Sequence, residues 1–195
     1  MKKLPDDHLA ALMEYGIDRI NRRLFLGDIE EQEVSKIIRG IYFFEAESKT
    51  QPIELFVSSY GGELDEMFGL YDVLNTIECP IITVAIGKCQ SAAPLLVAAG
   101  KQGERYALPN TSFMFHQSSA TDDECRGPLS HIEANIKQHR VMEDRWYGLL
   151  SKHSNKAPAF WRKLGKLPHD TYYTAEQAIE FGIVDQLWNQ KEGES

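Results

Sequence analysis

The stretch from Ile81 to Gly100 constrains the fold more than any other. It opens with Ile81-Ile82-Thr83-Val84-Ala85-Ile86, apolar and rich in β-branched residues. It passes through Gly87-Lys88-Cys89-Gln90-Ser91 and ends in the small, apolar run Ala92-Ala93-Pro94-Leu95-Leu96-Val97-Ala98-Ala99-Gly100. The first part reads as a buried strand over 81–86 that ends at a glycine. The last part reads as a short buried helix stopped by Gly100. Pro94 fits a first helical turn, where backbone N–H groups have no intrahelical partner. Ser91 then stands at a strand-to-helix corner, and two readings are open for it. It is an N-cap, as serines at helix starts usually are. Alternatively it is a nucleophile beside backbone N–H groups able to hold an oxyanion.

The remainder alternates strands with helices. Leu9 through Ile17 and Ile20 has helical spacing and predicts an N-terminal helix, followed by a strand at Leu24-Phe25-Leu26-Gly27. From Glu30-Glu31, the positions Val34, Ile37, Ile38, Ile41 and Phe44 repeat at i, i+3, i+4, i+7, with acids at the N-terminal end. A strand over Ile53–Val57, a turn at Tyr60-Gly61-Gly62 and a helix carrying Leu64, Met67, Phe68, Tyr71 and Leu74 follow. Arg105–Leu108 and Ser112–His116 read as strands joined by the turn residues Pro109-Asn110. Residues 118–129 read as a polar loop. A long helix then carries Ile132, Ile136, Met142, Trp146, Leu149 and Leu150 on one side. Thr174-Ala175-Glu176-Gln177 has capping-box spacing and opens a helix that ends at Phe181-Gly182, before a last strand at 183–188. Strands alternating with helices predict an α/β architecture with largely parallel pairing.

At 195 residues, with 43% hydrophobic and 26% charged side chains, the chain is expected to be one soluble domain. A formal charge of −8 excludes a phosphate-tracking surface as the main partner site, so no nucleic acid is expected. No apolar run approaches the ~20 residues that span a bilayer, so no membrane is expected either. Met1-Lys2-Lys3 is followed by Pro5-Asp6-Asp7-His8, not by an apolar signal core, and the expected location is cytoplasmic. Cys79, Cys89 and Cys125 cannot all pair and show no Cys-x-x-Cys spacing, which reads as reduced thiols. Cys89 is a rival nucleophile two residues from Ser91, or a small buried hydrophobe. The six histidines form no ligand-spaced cluster, so no metal is expected.

Three further positions carry a second meaning. Gly61-Gly62 is a structural turn or a backbone anion site. His116 ends an apolar strand as a structural histidine or as a base. Asp170, before Tyr172-Tyr173, is a turn or capping acid, or the carboxylate that fixes a base's tautomer.

In this order, Tyr60-Gly61-Gly62, Gly87-x-x-x-Ser91, Leu108-Pro109-Asn110…Phe115-His116-Gln117, and Asp170…Ala175-Glu176…Glu180-Phe181-Gly182-Ile183-Val184-Asp185 resemble the ClpP family. That family comprises the proteolytic subunits of the ATP-dependent Clp protease, and the resemblance runs from about Arg23 to Trp188. It implies Ser91 as nucleophile, His116 as base and Asp170 as triad acid. Gly62 and Ala92 are the implied oxyanion N–H donors. The implied fold is a crotonase-like spiral of ββα units: one serine peptidase domain over 1–195, with an N-terminal segment and helix at 1–22 and a protruding handle helix at 131–152. The implied assembly is of heptameric rings stacked as a tetradecamer, or of mixed rings with other ClpP-like subunits. An AAA+ Clp unfoldase would feed it unfolded polypeptide. The subunit itself would bind no cofactor, ATP being used by the unfoldase.

The chain departs from the family pattern in four places. Tyr60 stands where proline is usual, and Ala92-Ala93-Pro94 replaces Met-Gly after the serine. A polar, acidic 118–129 segment replaces a glycine-rich strand, and His169 replaces the arginine before the aspartate. Two other functions compete with a serine endopeptidase: a non-catalytic subunit of a mixed ring, and a crotonase-type acyl-CoA enzyme sharing the spiral fold.

Overall fold

A computed structural model describes residues 12–119 and 125–188. Its eight strands are β1 (Ile17–Asp18), β2 (Arg23–Leu26), β3 (Ile53–Ser59), β4 (Ile81–Gln90), β5 (Arg105–Ala107), β6 (Ser112–Phe115), β7 (Thr171–Tyr173) and β8 (Gln186–Leu187). After a helical turn at residues 12–15, its helices are α1 (Glu31–Glu47), α2 (Leu64–Thr76), α3 (Ala93–Ala98), α4 (Leu129–Lys152), α5 (Pro158–Gly165) and α6 (Ala175–Phe181). The strands form one sheet in the order β1-β2-β3-β4-β5-β8, with β6 on β4 and β7 on β6. Pairing is parallel throughout except for β1–β2 and β6–β7. This is a mixed α/β fold with a mostly parallel sheet, as the alternating pattern predicts.

From β2 to β5 the chain steps across the sheet in one direction, with one helix between each pair. Crossovers of parallel strands are right-handed, so same-direction steps put α1, α2 and α3 on one face. Accordingly α1 packs against β2 and α2, and α2 against α3. Most of the predicted apolar positions meet there: Val34, Ile37, Ile41 and Phe44 of α1, and Met67, Phe68, Tyr71 and Leu74 of α2 are buried, joined by Leu70, while Ile38 and Leu64 are only partly buried. Each such side chain contributes roughly 1.5–3 kcal/mol on burial.

β4 is the central element and runs further than its sequence predicts. Gly87 does not end it. At φ 65° the glycine kinks the strand, in a conformation that a β-branched residue would resist. Between Val57↔Ala85 and Ser59↔Cys89 the register slips, with Ile86, Gly87 and Lys88 of β4 set against Ser58 alone of β3. Before the kink β4 pairs with β5 through Thr83–Ala85; after it, β4 pairs with β6 through Lys88–Gln90. The turn at Pro109-Asn110 therefore joins β5 and β6 without making a hairpin, because each takes a different half of β4.

Other expectations change too. Of the expected N-terminal helix, residues 9–11 lie outside the described residues and 12–15 are helical, with Gly16 N–H donating to Leu12 O at 3.1 Å, but Ile17 and Ile20 are not helical. Gly16, at φ 64°, turns the chain after Tyr15, and Ile17 pairs with Leu24 as strand. The Asp18 carboxylate then accepts from the Ile20 and Asn21 N–H groups, closing the β1–β2 turn, and Ile20 is exposed. Neither β7 nor α5 is legible in the sequence. The last strand shrinks to Gln186–Leu187, because Ile183 and Val184 are buried in the turn that follows Gly182. The capping box is present in full: Gln177 N–H donates to Thr174 Oγ1 at 3.3 Å and Thr174 N–H to Gln177 Oε1 at 3.0 Å. On α4 only the second half is covered. Met142, Trp146, Tyr147 and Leu150 are buried, while Leu129, Ile136 and Val141 are exposed.

Arg105, only 6% exposed, ties three of these pieces together. It donates to Asp185 through Nε and Nη2 at 3.0 and 2.6 Å, and through Nη1 to the carbonyls of Ala98 and His153. Burial alone would raise the Asp185 carboxyl, but these hydrogen bonds, the guanidinium charge and the Gly103 N–H outweigh it and hold the carboxyl below its ordinary value.

Candidate active site

Ser91 sits at the corner its sequence predicts, in an unusual backbone state. Its φ is 56°, left-handed for a residue that has a Cβ. Such strain costs on the order of 1–2 kcal/mol and persists only where the surroundings dictate it. Here the Ser91 N–H donates to Met114 O at 2.9 Å, continuing the β4–β6 ladder, while α3 beyond it is buried at every residue. Thr83 Oγ1 donates to Val97 O at 2.7 Å and so holds α3 down on β4. Gly100 is required at the end of this run because a Cβ there would collide with the Thr83 side chain. Ser91 is not an N-cap. The N-cap of α3 is Ala92, and no side chain caps it.

The Ser91 hydroxyl meets His116 instead, with Oγ and Nε2 2.7 Å apart. His116 is the first residue after β6, and β6 is registered on β4 by Gln90↔Met114, so both residues leave neighbouring strands on the same level. On its other side β6 pairs antiparallel with β7, with Phe115 opposite Thr171. One step further along this register sets His116 opposite Asp170, whose Oδ1 lies 3.5 Å from His116 Nδ1. The sheet thus brings together three residues that stand 25 and 54 positions apart in the chain. The Asp170 link is the looser one, its side chain being 49% exposed.

The glycine turn closes the other side. Gly61 and Gly62 have φ of 104° and 147°. A Cβ on Gly61 would stand 2.6 Å from Ser91 Cβ and 2.9 Å from Gln90 O, and one on Gly62 would collide with Ile29 O. No side chain fits at either position. Ile29 N–H donates to Gly61 O at 2.7 Å and Glu63 N–H to Ile29 O at 2.9 Å, so the intervening Gly62 faces its N–H away from Ile29. Among the described residues neither the Gly62 nor the Ala92 N–H has a hydrogen-bond acceptor. Both sequence-predicted oxyanion positions therefore carry an unspent donor next to the serine.

Ser91, His116 and Gly62 line a cleft of about 750 Å³ that also includes Ile29, Tyr60, Leu64, Ser118, His139, Met142 and Trp146. Sequence reasoning missed most of this wall, because Ser118 comes from one segment and His139, Met142 and Trp146 from the α4 face turned toward it. Glu143 Oε1 accepts from Ser118 Oγ and from Tyr147 OH, both at 2.9 Å, fastening the segment after His116 to α4. Burial, reinforced by the Glu143 bond, pushes the Tyr147 hydroxyl up. Cys89, the rival nucleophile, is fully buried, and burial alone pushes its thiol well up, which leaves it without a reactive thiolate. Among the described residues no group of histidine, cysteine or carboxylate side chains is arranged to hold a metal ion.

A family model described as Clp protease matches residues 15–191. The chain belongs to the Clp protease family. The match takes in β1 through β8 and every residue of the cleft, and it supports a ClpP-like peptidase. No helix among the described residues is long and apolar enough to cross a membrane.

Proposed function

We propose that this Clp-family chain is a serine endopeptidase acting through Ser91, His116 and Asp170. The observation that carries the reading is the 2.7 Å approach of Ser91 Oγ to His116 Nε2, at a serine whose backbone is held left-handed. A hydroxyl is a weak nucleophile until a base takes its proton. With the proton of neutral His116 on Nδ1, facing Asp170, Nε2 is free to accept the proton of Ser91 as Oγ attacks a peptide carbonyl. The imidazolium that forms faces the Asp170 carboxylate, which stabilises the charge and keeps the ring oriented. The carbonyl oxygen becomes an oxyanion for the Gly62 and Ala92 N–H groups to receive, each of them without another acceptor among the described residues. His116 then returns the proton to the leaving amine, and a water repeats the sequence on the acyl-enzyme.

Family membership supports the wider setting: an oligomeric proteolytic chamber of stacked heptameric or mixed rings, in the cytoplasm, supplied with unfolded polypeptide by an AAA+ Clp unfoldase that uses the ATP. The exposed apolar residues Leu129, Ile136 and Val141 on α4 suit burial between subunits. Treatment of the assembled protein with a fluorophosphonate tests the chemistry. One adduct, on the peptide containing Ser91, is expected. A protein that assembles yet takes no label, or takes it elsewhere, refutes the reading and favours a non-catalytic ring subunit.

A further inference from the structure

The two glycines that face Ser91 cannot hold their own conformation. A Gly-Gly pair has the widest backbone freedom of any dipeptide, and an oxyanion donor works only if its N–H already points at the place where charge develops. Something outside the pair must fix it. From Gly61 O to Glu63 N the Ile29 backbone does so. The approach to the pair, Ser59-Tyr60, is fixed by a side chain.

That side chain is Asp28. Its Oδ1 accepts the Tyr60 N–H at 2.7 Å, a short charge-assisted bond, and lies 3.5 Å from Ser59 Oγ. Ser59, fully buried, in turn accepts the Gly61 N–H on Oγ at 3.0 Å. One carboxylate thus reaches both approach residues, Tyr60 at its N–H and Ser59 at its hydroxyl, and Ser59 Oγ, which also lies 3.4 Å from Gly61 O, receives the Gly61 N–H one residue short of Gly62. It also settles which N–H groups are spent. Tyr60 and Gly61 donate inward, and Gly62 is left over to face the cleft. Asp28 is next in sequence to Ile29, so the side-chain and backbone restraints come from one rigid corner between β2 and α1.

We propose that Asp28 is a positioning residue for the oxyanion hole, acting through the backbone of Tyr60 and Gly61. It touches no substrate and moves no proton. Its contribution is to keep the Gly62 N–H aimed before substrate arrives, which should appear in the transition state and not in ground-state binding. The inference rests on the serine-peptidase reading above. Because Asp28 is exposed and its bonds are to backbone, replacing it should loosen one loop without endangering the core.

The test compares the assembled wild type with Asp28→Ala and Asp28→Asn on a fluorogenic peptide, a peptide aldehyde and hydrogen exchange. Asp28→Ala should lower kcat about 10-fold with KM within about 2-fold, a smaller loss than the 10²–10³ for removing a donor outright. The aldehyde, whose hemiacetal oxyanion sits in the same hole, should weaken by a similar factor, and the Tyr60 and Gly61 amides should exchange faster. Asparagine keeps an acceptor at Oδ1, so Asp28→Asn should recover most of the rate. Asp28→Ala with unchanged kcat and aldehyde affinity overturns the proposal, as does a loss confined to KM or an asparagine variant as poor as the alanine. A wild type that neither turns over peptide nor binds the aldehyde overturns the serine-peptidase reading, and the positioning role falls with it. A working wild type with indifferent variants sinks the positioning role alone.

Discussion

The two partners of His116 are held by opposite means. Ser91 follows the central strand, its N–H locked to Met114 O, with a helix behind it that is buried at every position. Asp170 precedes a three-residue strand that pairs on one side only, and half its side chain is open to water. The distances reflect this, 2.7 Å on the serine side and 3.5 Å on the aspartate side. A buried corner can impose a strained backbone because displacing it costs core contacts. An edge strand cannot, so geometry there is set by weaker forces that solvent competes with. The Ser91 corner is thus built in by the fold, while the Asp170 carboxylate is adjustable.

The largest effect should come from Ser91→Ala, which removes the proposed nucleophile and leaves the corner in place. A loss on the order of 10⁴ or more in peptide turnover, with unchanged oligomer size by sedimentation, is expected. Next is Gly61→Ala. Its Cβ would enter the space of Ser91 Cβ at 2.6 Å, in a backbone state that disfavours alanine. A fall of about 10³ in the fluorophosphonate labelling rate is expected with the far-UV spectrum preserved. If Gly61→Ala labels normally, the corner is softer than its burial implies.

Asp170→Asn sharpens the contrast directly. With the carboxylate half exposed, turnover should drop about 10²-fold, clearly less than for Ser91→Ala. Equal losses would show that the edge strand is as firmly fixed in the working assembly as the serine corner. The smallest effect concerns stability and tests the rigid side. His153 Nε2 is hydrogen-bonded to Tyr71 OH at 2.8 Å, and burial, then the nearby Lys152 and Arg105 charges, lower the His153 pKa to about 4. The unfolded chain takes up this proton near pH 6.5 and the folded chain does not. Stability is therefore undiminished above about 6.5 and declines as pH falls from there toward 4. In His153→Gln, which does not titrate, the melting temperature should fall less steeply over that interval. Parallel curves would remove His153 from the account.

Legibility in the sequence follows the same division. The serine corner could be read because burial leaves a composition: β-branched residues, then small ones, between glycines. The α1 and α2 faces could be read because helical spacing is local. Edge elements left no such trace. Thr171-Tyr172-Tyr173 becomes a strand only because β6 is there to pair with, and its one-sided pairing imposes no alternation. The continuation of β4 past Gly87 was hidden because a glycine at φ 65° looks like an ending when it is a kink. Asp28 was invisible for a different reason. Its partner is a backbone N–H 32 residues away, and backbone donors carry no letter in a sequence. The roles of Ser91, His116 and Asp170 were drawn from family resemblance, and what the fold adds is the β4–β6–β7 register that places them side by side.

The left-handed conformation of Ser91 has a consequence for how such a chain drifts. At φ 56° glycine is the residue the backbone favours, with asparagine next, and any other side chain carries a penalty of about 1 kcal/mol or more. Stability alone therefore pulls this position toward glycine, and a subunit released from catalysis would gain by losing the Cβ, not the hydroxyl alone. On the proposed mechanism, activity and robustness are opposed at this one residue. A serine there is stability forgone, in a protein whose whole margin is of the order of 5–15 kcal/mol.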